Sequence, residues 1–479
     1  MKKFIGRAYE LKQLADLQSG SQARLVVIKG RRRIGKSRLV QEFAKDKIFL
    51  SFSGIAPIDK VSAQDQRDTF ALQVSKATNT PVQTFTDWAH AFDYLTQHLT
   101  KNPTVILFDE ISWMGSCDPT FIPKLKNWWD LYLQDFPKLM VVFCGSVSTW
   151  IESNIINSTA FFGRISLYVE LSELAINEAC DFLKNAGIAY SVYDTFKLLS
   201  ITGGVPWYLE QLAQGQTVDE NITRLCFQQS GMLVQEFDRI FYDLFFGKGD
   251  IYTKIIRVLA DGMCDLPYIK KTLNYSDGGM MSHYLKELMI SGYVDQHYTW
   301  SIKTGKTSRQ QLYRLSDNYL RFYLKYIEPS KDKIKRGVFK QLAVNNLPGF
   351  DSMMGFQVET LLLRNRPLLL QALNLDPTTV VADNPYIQKP TERKKGCQID
   401  YLIQTRTNNL FVCEFKFQRR ALDTGIIDDM KDKIARLARP KNYGAVPVLF
   451  HVSGVSDAVH DSGYFYKVVD IGDFLEAPR

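Results

Sequence analysis

The chain has 479 residues, of which 45% are hydrophobic and 23% are charged. These proportions are typical of globular proteins, exclude a disordered or low-complexity chain, and suggest roughly three domains at about 150 residues each. The net charge of +8 is concentrated at the two ends of the chain: residues 1–50 hold 13 basic and 4 acidic side chains, and residues 331–479 hold 22 and 17. Two separated basic regions predict two surfaces that bind polyanions.

The cysteines and the apolar runs indicate where the protein works. The seven cysteines are scattered and never spaced as CxxC, so we expect no disulfide framework, no zinc finger and a reducing compartment. No apolar run approaches the ~20 residues that a membrane-spanning helix needs. The start, MKKFIGRAYE, lacks the apolar stretch of a secretory signal. We therefore predict a soluble cytoplasmic protein that does not bind a membrane.

The first 170 residues alternate short apolar runs with amphipathic segments, which is typical of a parallel sheet covered by helices. Asp87 is suited to cap a helix that runs to Leu99. Residues 176–240 have a helical pattern throughout. Continuous apolar runs rich in β-branched residues predict buried strands, which are Arg24–Lys29, Thr104–Asp109, Leu139–Cys144 and Leu167–Leu171.

A different pattern follows in the middle of the chain. Two strand-like runs flank a loop at Lys303–Arg309, and three helical patterns precede them, at Ile251–Leu259, Asp265–Leu273 and Gly279–Ser291. Three helices followed by a β-hairpin predict a winged helix. The third helix offers only His283 and Lys286 for reading bases, so we favour a packing role with modest contact to DNA phosphates.

A phosphate-binding loop is the clearest motif in the chain. It lies directly after the first strand and opens a helix that runs to Ala44. Its glycines let the backbone N–H groups face phosphates, a lysine reaches the β- and γ-phosphates, and a serine ligates Mg²⁺. The match to GxxxxGK[ST] predicts that ATP binds to Gly30, Arg31, Arg32, Arg33, Ile34, Gly35, Lys36, Ser37 and the adjoining Arg38.

A second element supports the same chemistry. The apolar strand at 104–109 ends in Asp109 and is followed by Glu110. A carboxylate at this edge can hold the water shell of Mg²⁺, and its neighbour can polarise the attacking water. We therefore predict a metal-binding role for Asp109 and a water-activating role for Glu110.

Together with Gly6-Arg7 near the start and Gly145-Ser146 after the next strand, these motifs resemble the AAA+/STAND ATPases. The prokaryotic branch of archaeal-type ATPases with a C-terminal nuclease-like domain is the most similar. The resemblance implies that Gly6 and Arg7 lie near adenine and that Ser146 contacts the γ-phosphate or the attacking water. It also implies that Pro206, in Gly203-Gly204-Val205-Pro206, abuts the base.

Arg164, in Phe161-Phe162-Gly163-Arg164, resembles the Gly-Arg step of the same family. In that role Arg164 would sense phosphate within its own chain or reach the nucleotide of a neighbouring subunit, which implies self-association. The alternative is that Arg164 is a structural ion-pair partner.

A second candidate site lies near the C-terminus. Two strand-like runs flank Asn408-Asn409, which favours a turn. A three-residue loop centred on Thr407 would place Asp400 opposite Glu414, with Lys416 on the same face. Two carboxylates and a lysine at one spot can hold Mg²⁺ and orient a water against a phosphodiester. The alternative is a solvated hairpin face with an ordinary ion pair.

This pattern is similar to the D…ExK core of the PD-(D/E)XK nucleases. The resemblance implies that Glu359, in Gly355-Phe356-Gln357-Val358-Glu359, completes the metal site from the first helix. DNA binding needs positive charge to replace counterions. Basic residues supply that charge around the motif: Lys389, Arg393, Lys394, Lys395, Arg419, Arg420, Lys431, Lys433 and Arg436.

The predicted fold class is α/β: a P-loop NTPase parallel sheet with a helical lid, a winged helix and a C-terminal PD-(D/E)XK-like α/β domain. The expected segments are the ATPase core at 1–172, the lid at 173–245, the winged helix at 246–328, a linker at 329–350 and the nuclease-like domain at 351–479. The leading hypothesis is an ATPase, with ATP and Mg²⁺ as cofactors, that couples its nucleotide state to DNA engagement or cleavage. The alternatives are a non-nucleolytic switch or DNA-binding regulator with a degenerate nuclease fold, and an ATPase that acts on protein partners.

Overall fold

A computed structural model describes residues 3–476 except 21, 57–60, 147, 246–248, 277–278, 391 and 393–394. The chain divides into two compact units. The first comprises the residues up to Glu173 together with the short segment Ile290–Gly292, and the second comprises the rest of the chain from Leu174 onward. Within the described residues, no helix is both long and apolar enough to span a bilayer.

The first unit is a sheet covered by helices. Its strands are β1 (Arg24–Lys29), β2 (Ile48–Ser53), β3 (Thr104–Asp109), β4 (Leu139–Gly145) and β5 (Ile165–Glu170). Its helices are α1 (Ala8–Gln18), α2 (Lys36–Phe43), α3 (Ala63–Thr78), α4 (Trp88–Thr96), α5 (Ile111–Ser116), α6 (Phe121–Leu131) and α7 (Ser148–Ile151).

All neighbouring strands of this sheet are parallel, in the order β2-β3-β4-β1-β5. Side chains of β1 alternate between two apolar cores, since Val27 packs into one and Val26 and Ile28 pack into the other. Burial on both faces explains the continuous apolar runs. The four predicted strands are confirmed. The edge strand β2 was not predicted, because its apolar run is interrupted by Ser51, which is exposed.

From Leu174 onward the chain is longer and more helical. Its helices are α8 (Ile176–Asn185), α9 (Val192–Thr202), α10 (Pro206–Glu210), α11 (Val218–Ile222), α12 (Glu236–Phe245), α13 (Gly249–Ala260), α14 (Leu266–Thr272), α15 (Met280–Ile290), α16 (Asn318–Phe322), α17 (Lys331–Lys335), α18 (Phe350–Arg364), α19 (Arg366–Ala372), α20 (Gly425–Arg436) and α21 (Asp457–Asp461). Its strands are β6 (Cys264–Asp265), β7 (Val294–Trp300), β8 (Thr307–Leu315), β9 (Val380–Gln388), β10 (Cys397–Thr405), β11 (Asn409–Lys416), β12 (Gly444–His451) and β13 (Lys467–Asp470).

Helices α13, α14 and α15 precede the hairpin of β7 and β8, as the sequence predicts. The loop between the two strands is residues 301–306. The short strand β6, which precedes α14, pairs with β8 and completes a three-stranded antiparallel sheet in the order β6-β8-β7.

The C-terminal sheet is mixed, in the order β13-β12-β11-β10-β9. Strands β9, β10 and β11 are antiparallel neighbours, whereas β12 and β13 continue parallel to β11. Two parallel neighbours need a crossover between them, and α20 supplies it between β11 and β12. Helix α18 precedes the whole sheet.

The segment 329–350, which the sequence predicts to be a linker, is packed in the structure. It includes helix α17, and its side chains Ile334 and Val344 are buried. One continuous apolar core extends from Leu174 to Leu475. The segments predicted as lid, winged helix and nuclease-like domain therefore contribute to one compact unit.

Candidate functional sites

The phosphate loop lies between β1 and α2. Gly30 and Gly35 have φ angles of +152° and +88°, which favour glycine, and Arg33 also adopts a left-handed conformation, at +70°. A Cβ on Gly30 would lie 2.3 Å from the carbonyl oxygen of Leu171, so no larger residue fits. Ile34 is buried and anchors the loop to the core.

Lys36 is buried inside this loop, with only 6% of the residue exposed. Its ammonium donates hydrogen bonds to the carbonyl oxygens of Gly30 (2.9 Å) and Arg31 (3.0 Å). Burial lowers the pKa of Lys36, and the nearby Glu110 and Asp109 oppose that effect. A buried ammonium whose hydrogen bonds, among the residues that the structure describes, go to neutral carbonyls is well placed to bind an anion, because a phosphate oxygen is a stronger acceptor.

Ser37 and Asp109 form the oxygen-rich side of the site. The hydroxyl of Ser37 donates to Oδ2 of Asp109 over 2.6 Å. Ser37 lies in the first turn of α2, and Asp109 ends β3. A hydroxyl and a carboxylate side by side are the donor set that Mg²⁺ prefers, so these residues fit the metal that an ATP site requires.

Glu110 follows Asp109 in a left-handed conformation, at φ +48°. Its Oε2 accepts two hydrogen bonds of 2.9 Å, one from the backbone N–H of Ser146 and one from the Ser146 hydroxyl. Ser146 follows β4, which lies between the strand of the phosphate loop and the strand of Asp109. The sheet order therefore brings the predicted base and the predicted sensor into direct contact.

Arg7 contacts the phosphate loop from the start of the chain. Gly6 and Arg7 both have positive φ angles, and Arg7 is buried. The Arg7 guanidinium donates to the carbonyl oxygens of Ile34 (3.4 Å) and Ser172. Arg7 thus links the start of the chain to the phosphate loop, next to the place that the resemblance assigns to adenine.

The other predicted arginines of the loop lie in different surroundings. Arg31 forms a 2.5 Å ion pair with Glu173, a partner that the sequence reasoning missed. Arg32 lies over the ring of Trp113, with 6.0 Å between the guanidinium carbon and the ring centroid. Arg38 is half-buried in the first turns of α2. Neither Glu173 nor Trp113 belongs to a motif, so no sequence signal identified them.

Arg164 forms a bidentate ion pair with Asp130, with 2.6 Å from Nε to Oδ1 and 2.8 Å from Nη2 to Oδ2. Lys126 joins the same carboxylate at 2.8 Å. These cations lower the pKa of Asp130 to about 2, with Arg164 as the main cause. The geometry matches the structural ion pair that the sequence left open as the alternative to a phosphate sensor.

Pro206 lies in the second unit, where it is the first residue of α10. Nearby, the N–H of Leu174 donates to the carbonyl of Gly204 over 2.8 Å. A Cβ on Gly204 would lie only 2.1 Å from the Leu174 carbonyl oxygen. Within this unit, the Gly-Gly-Val-Pro run therefore packs a turn against the chain at Leu174.

The second candidate site lies on β10 and β11. Tyr401 pairs with Cys413 in the antiparallel register, and continuing that register by one residue places Asp400 opposite Glu414. The turn between the strands is residues 406–408, as predicted. Asp400 also accepts a 2.9 Å hydrogen bond from the N–H of Phe415. The structure therefore brings the two predicted carboxylates to one spot.

Two lysines neutralise Glu414, which is buried. Lys416 lies 2.9 Å from Oε1 of Glu414, and Lys433 of α20 contacts Oε2. Burial disfavours the charged form of Lys433, but Asp400 and Glu414 together raise its pKa. Lys433 was predicted only as a basic residue near the site, because no spacing rule relates a helix residue to a strand residue nineteen positions earlier.

Glu359, which the resemblance places in the metal site, is held by a cation of strand β8. Its carboxylate is buried and forms a 2.6 Å ion pair with Arg314 of β8. Arg314 also donates to the hydroxyl of Thr360 over 3.1 Å. Within the described residues, no three or more His, Cys, Asp or Glu side chains are grouped closely enough to hold a metal ion.

The pKa of Asp400 is raised to about 7, chiefly by burial and also by the negative charges of Glu414 and Glu359. Lys433 and the Phe415 N–H oppose that shift. The carboxylates of this site thus repel one another, and a cation between them would relieve that repulsion.

The remaining predicted nucleic-acid contacts are only partly described. Arg393, Lys394 and the side chain of Arg309 lie outside the described residues. On α15, His283 is exposed and faces Glu287 at 3.5 Å. Arg419, Arg420 and Lys431 are exposed.

The fold and the first site define a P-loop ATPase. Residues 4–212 match the family described as "ATPase domain predominantly from Archaea". This part of the chain is thus an ATPase domain of the archaeal type, and the protein is an enzyme that binds and hydrolyses ATP.

Three known proteins are similar over larger parts of the chain. An uncharacterized protein of Methanocaldococcus jannaschii is 24% identical over 342 residues, which cover 70% of this chain and 71% of that protein. The Walker-type ATPase of Pyrococcus abyssi aligns with 67% of this chain and 96% of its own, at 13% identity and a TM-score of 0.49. The ORC2 protein of Aeropyrum pernix, solved with ADPNP and ADP, aligns with 71% of this chain and 97% of its own, at 13% identity and a TM-score of 0.43.

Proposed function

We propose that this ATPase couples its nucleotide state to the engagement of DNA, and that Asp400, Glu414 and Lys416 form a Mg²⁺-dependent site for cleaving a phosphodiester. The observation that carries the second part is the pairing of β10 with β11. It sets two carboxylates opposite each other at one end of the pair, with a lysine on the same face.

In the first site, each residue has a distinct role in hydrolysis. Lys36 exchanges its loop carbonyls for the β- and γ-phosphates of ATP. Ser37 and Asp109 would hold Mg²⁺, which neutralises developing charge on the phosphates when it is bound. Glu110 orients a water for attack and takes up its proton.

Ser146 determines when the carboxylate of Glu110 is available to activate the attacking water. The backbone N–H and the hydroxyl of Ser146 each donate a hydrogen bond to Glu110. A γ-phosphate in the site would compete for the same donors. Release of the carboxylate would then accompany nucleotide binding.

In the second site, Asp400 and Glu414 would hold the metal, and Lys416 orients the attacking water. The lysine is only partly exposed, with 32% of its side chain accessible, and its ammonium lies against Glu414. This position limits its freedom and directs its N–H groups at the carboxylates. A phosphodiester bound along the exposed arginines after β11 would place its phosphorus beside this group.

A nicking assay tests this proposal. Supercoiled plasmid, single strands and branched duplexes are incubated with the full chain and Mg²⁺, and Lys416→Ala is compared with wild type. We expect wild-type cleavage that disappears with EDTA and with Lys416→Ala, while ATP hydrolysis persists in that variant. Lys441→Ala, which removes an exposed lysine elsewhere in the unit, serves as the control. Cleavage by Lys416→Ala at the wild-type rate would contradict the assignment.

The second candidate is a nucleotide-controlled DNA-binding switch that does not cleave. It is favoured by the observation that cations already occupy the carboxylates, since Lys433 contacts Glu414 and Arg314 holds Glu359. No cleavage by wild type on any of the three substrates, together with measurable DNA binding, would select this candidate.

A further inference from the structure

A stack of two aromatic rings, with a guanidinium over one of them, lies immediately after the candidate cleavage site. Phe417 follows Lys416 at the end of β11, and its ring stacks on Tyr193 of α9, with centroids 4.6 Å apart and planes inclined by 13°. The guanidinium carbon of Arg419 lies 5.2 Å from the centroid of Tyr193. An apolar ring, a phenol and a guanidinium are thus associated in one place.

The two aromatic rings pack against the core, whereas the guanidinium of Arg419 is exposed to solvent. Phe417 and Tyr193 are half-buried and pack against the apolar core of the second unit. Arg419 is exposed, and among the described residues no carboxylate lies within ion-pair distance of it. An exposed arginine held over an aromatic ring retains one planar face for a further planar group.

We propose that this stack is a subsite for an unpaired base, so that the second unit prefers single-stranded DNA or a frayed end to blunt duplex. A nucleobase stacks on guanidinium and aromatic planes, and its phosphate accepts hydrogen bonds from nearby cations. Arg420 is exposed one residue further along, and Lys416 lies three residues before Arg419. This inference rests on the proposed function and specifies the class of DNA that the site takes.

The location of Tyr193 adds a second consequence. It belongs to α9, which falls within the residues that match the ATPase family, whereas Phe417 and Arg419 belong to the C-terminal sheet region. The subsite for the base would therefore be assembled from two distant parts of the sequence that fold into the same unit.

The test uses single-stranded oligonucleotides that carry 2-aminopurine, whose fluorescence is quenched when the base stacks. All chains carry Lys416→Ala, so that the DNA is not consumed. We expect the parent to quench the probe and to bind the single strand more tightly than a blunt duplex of the same sequence. Tyr193→Ala and Arg419→Ala should each weaken single-strand binding about tenfold, the loss expected for one stacked base, and should restore the fluorescence.

Two controls separate stacking from charge and from misfolding. Tyr193→Phe keeps the ring and should retain both quenching and affinity. Arg439→Ala removes an exposed arginine away from the stack and should weaken binding no more than about twofold. Thermal unfolding of each variant verifies that the unit is folded.

The outcomes distinguish this inference from the proposed function. Quenching and affinity that survive both Tyr193→Ala and Arg419→Ala would overturn the subsite alone, provided that the parent binds DNA. A parent that binds no DNA of any kind would overturn the subsite and the proposed function together.

Discussion

Both units of the protein place a lysine beside two carboxylates, but they do so by different means. In the first unit the lysine, Lys36, is positioned by backbone, because it donates to loop carbonyls whose place is set by glycine conformations. In the second, Lys416 and Lys433 are positioned by the charge of Glu414. One site is a backbone cradle for an anion, and the other is a cluster of side chains that a cation can enter.

The difference determines what each site can bind. The cradle keeps its ammonium buried with neutral partners, so the incoming ligand must be an anion. The cluster has its carboxylates partly neutralised by lysines, so a metal ion must compete with Lys433 for Glu414. We therefore expect the two sites to respond in opposite ways to the loss of a lysine.

The largest effect is expected for Lys36→Ala. Removal of the buried ammonium eliminates the charge that faces the β- and γ-phosphates, so ATP turnover should fall by at least about 100-fold. A steady-state phosphate-release assay measures it. Lys45→Ala, which removes an exposed lysine paired with Glu42, is the matched control. A Lys36→Ala chain with wild-type turnover would show that the cradle is not the hydrolytic site.

The next largest effect is expected for Glu110→Gln, which separates ATP binding from ATP hydrolysis at the same site. Glu110→Gln keeps the shape of the side chain and its contact with Ser146 but removes the base. We expect turnover to fall by about 10²–10⁴-fold while a fluorescent ATP analogue still binds. Undiminished turnover would exclude Glu110 as the group that activates water.

Lys433→Ala should act in the opposite direction at the second site. Without this ammonium, Glu414 loses one competing cation, and a divalent cation should bind about tenfold more tightly. Titration calorimetry with Mn²⁺ measures the affinity. Lys431→Ala, two residues earlier on α20 and paired with Asp428, should change the affinity little. Weaker metal binding by Lys433→Ala would mean that Lys433 supports the metal site.

The smallest effect concerns Asp130, which is paired with Arg164. The folded-state pKa of Asp130 is about 2, below its ordinary value of 3.8. The pair thus stabilises the fold above about pH 4, and that contribution is lost as the pH falls through 2. Asp130→Asn should lower the free energy of unfolding at pH 7 by about 1–2 kcal/mol.

Urea unfolding of wild type and Asp130→Asn at pH 7 and at pH 2 checks this. The gap between the two chains should narrow at the lower pH. A gap that is equal at both values would indicate that the carboxylate charge contributes nothing to stability.

The sequence predicted the phosphate-binding loop because the geometry of that loop depends on residue types that are close together in the sequence. Gly30 and Gly35 mark the turn, Asp109 ends an apolar run, and the strand before each motif is continuous and β-branched. The roles expected for Glu110 and Ser146 place both near the attacking water, but the hydrogen bonds between the two residues were not predicted.

In the second site, the sequence could predict only the positions of the residues that lie on the hairpin of β10 and β11. The fourteen-residue separation of Asp400 and Glu414 set the register correctly, since a short turn at Thr407 leaves one way to pair the strands. Lys433 and Arg314 could not be found, because they approach from α20 and β8 through tertiary packing. The segment 329–350 was predicted to be a linker for a related reason. Its sequence is dominated by charged residues, and nothing in that pattern indicates that Ile334 and Val344 pack into the core.

Coupling between nucleotide state and DNA engagement requires that ATP hydrolysis in the first unit respond to DNA. The most direct test is the ATPase rate of the full chain with and without DNA, using single strands and duplexes, with Lys36→Ala as the blank. We predict that single-stranded DNA changes kcat/KM for ATP and that Lys36→Ala shows no activity under any condition. A wild-type rate that is measurable but identical in the absence and presence of every DNA would contradict the account.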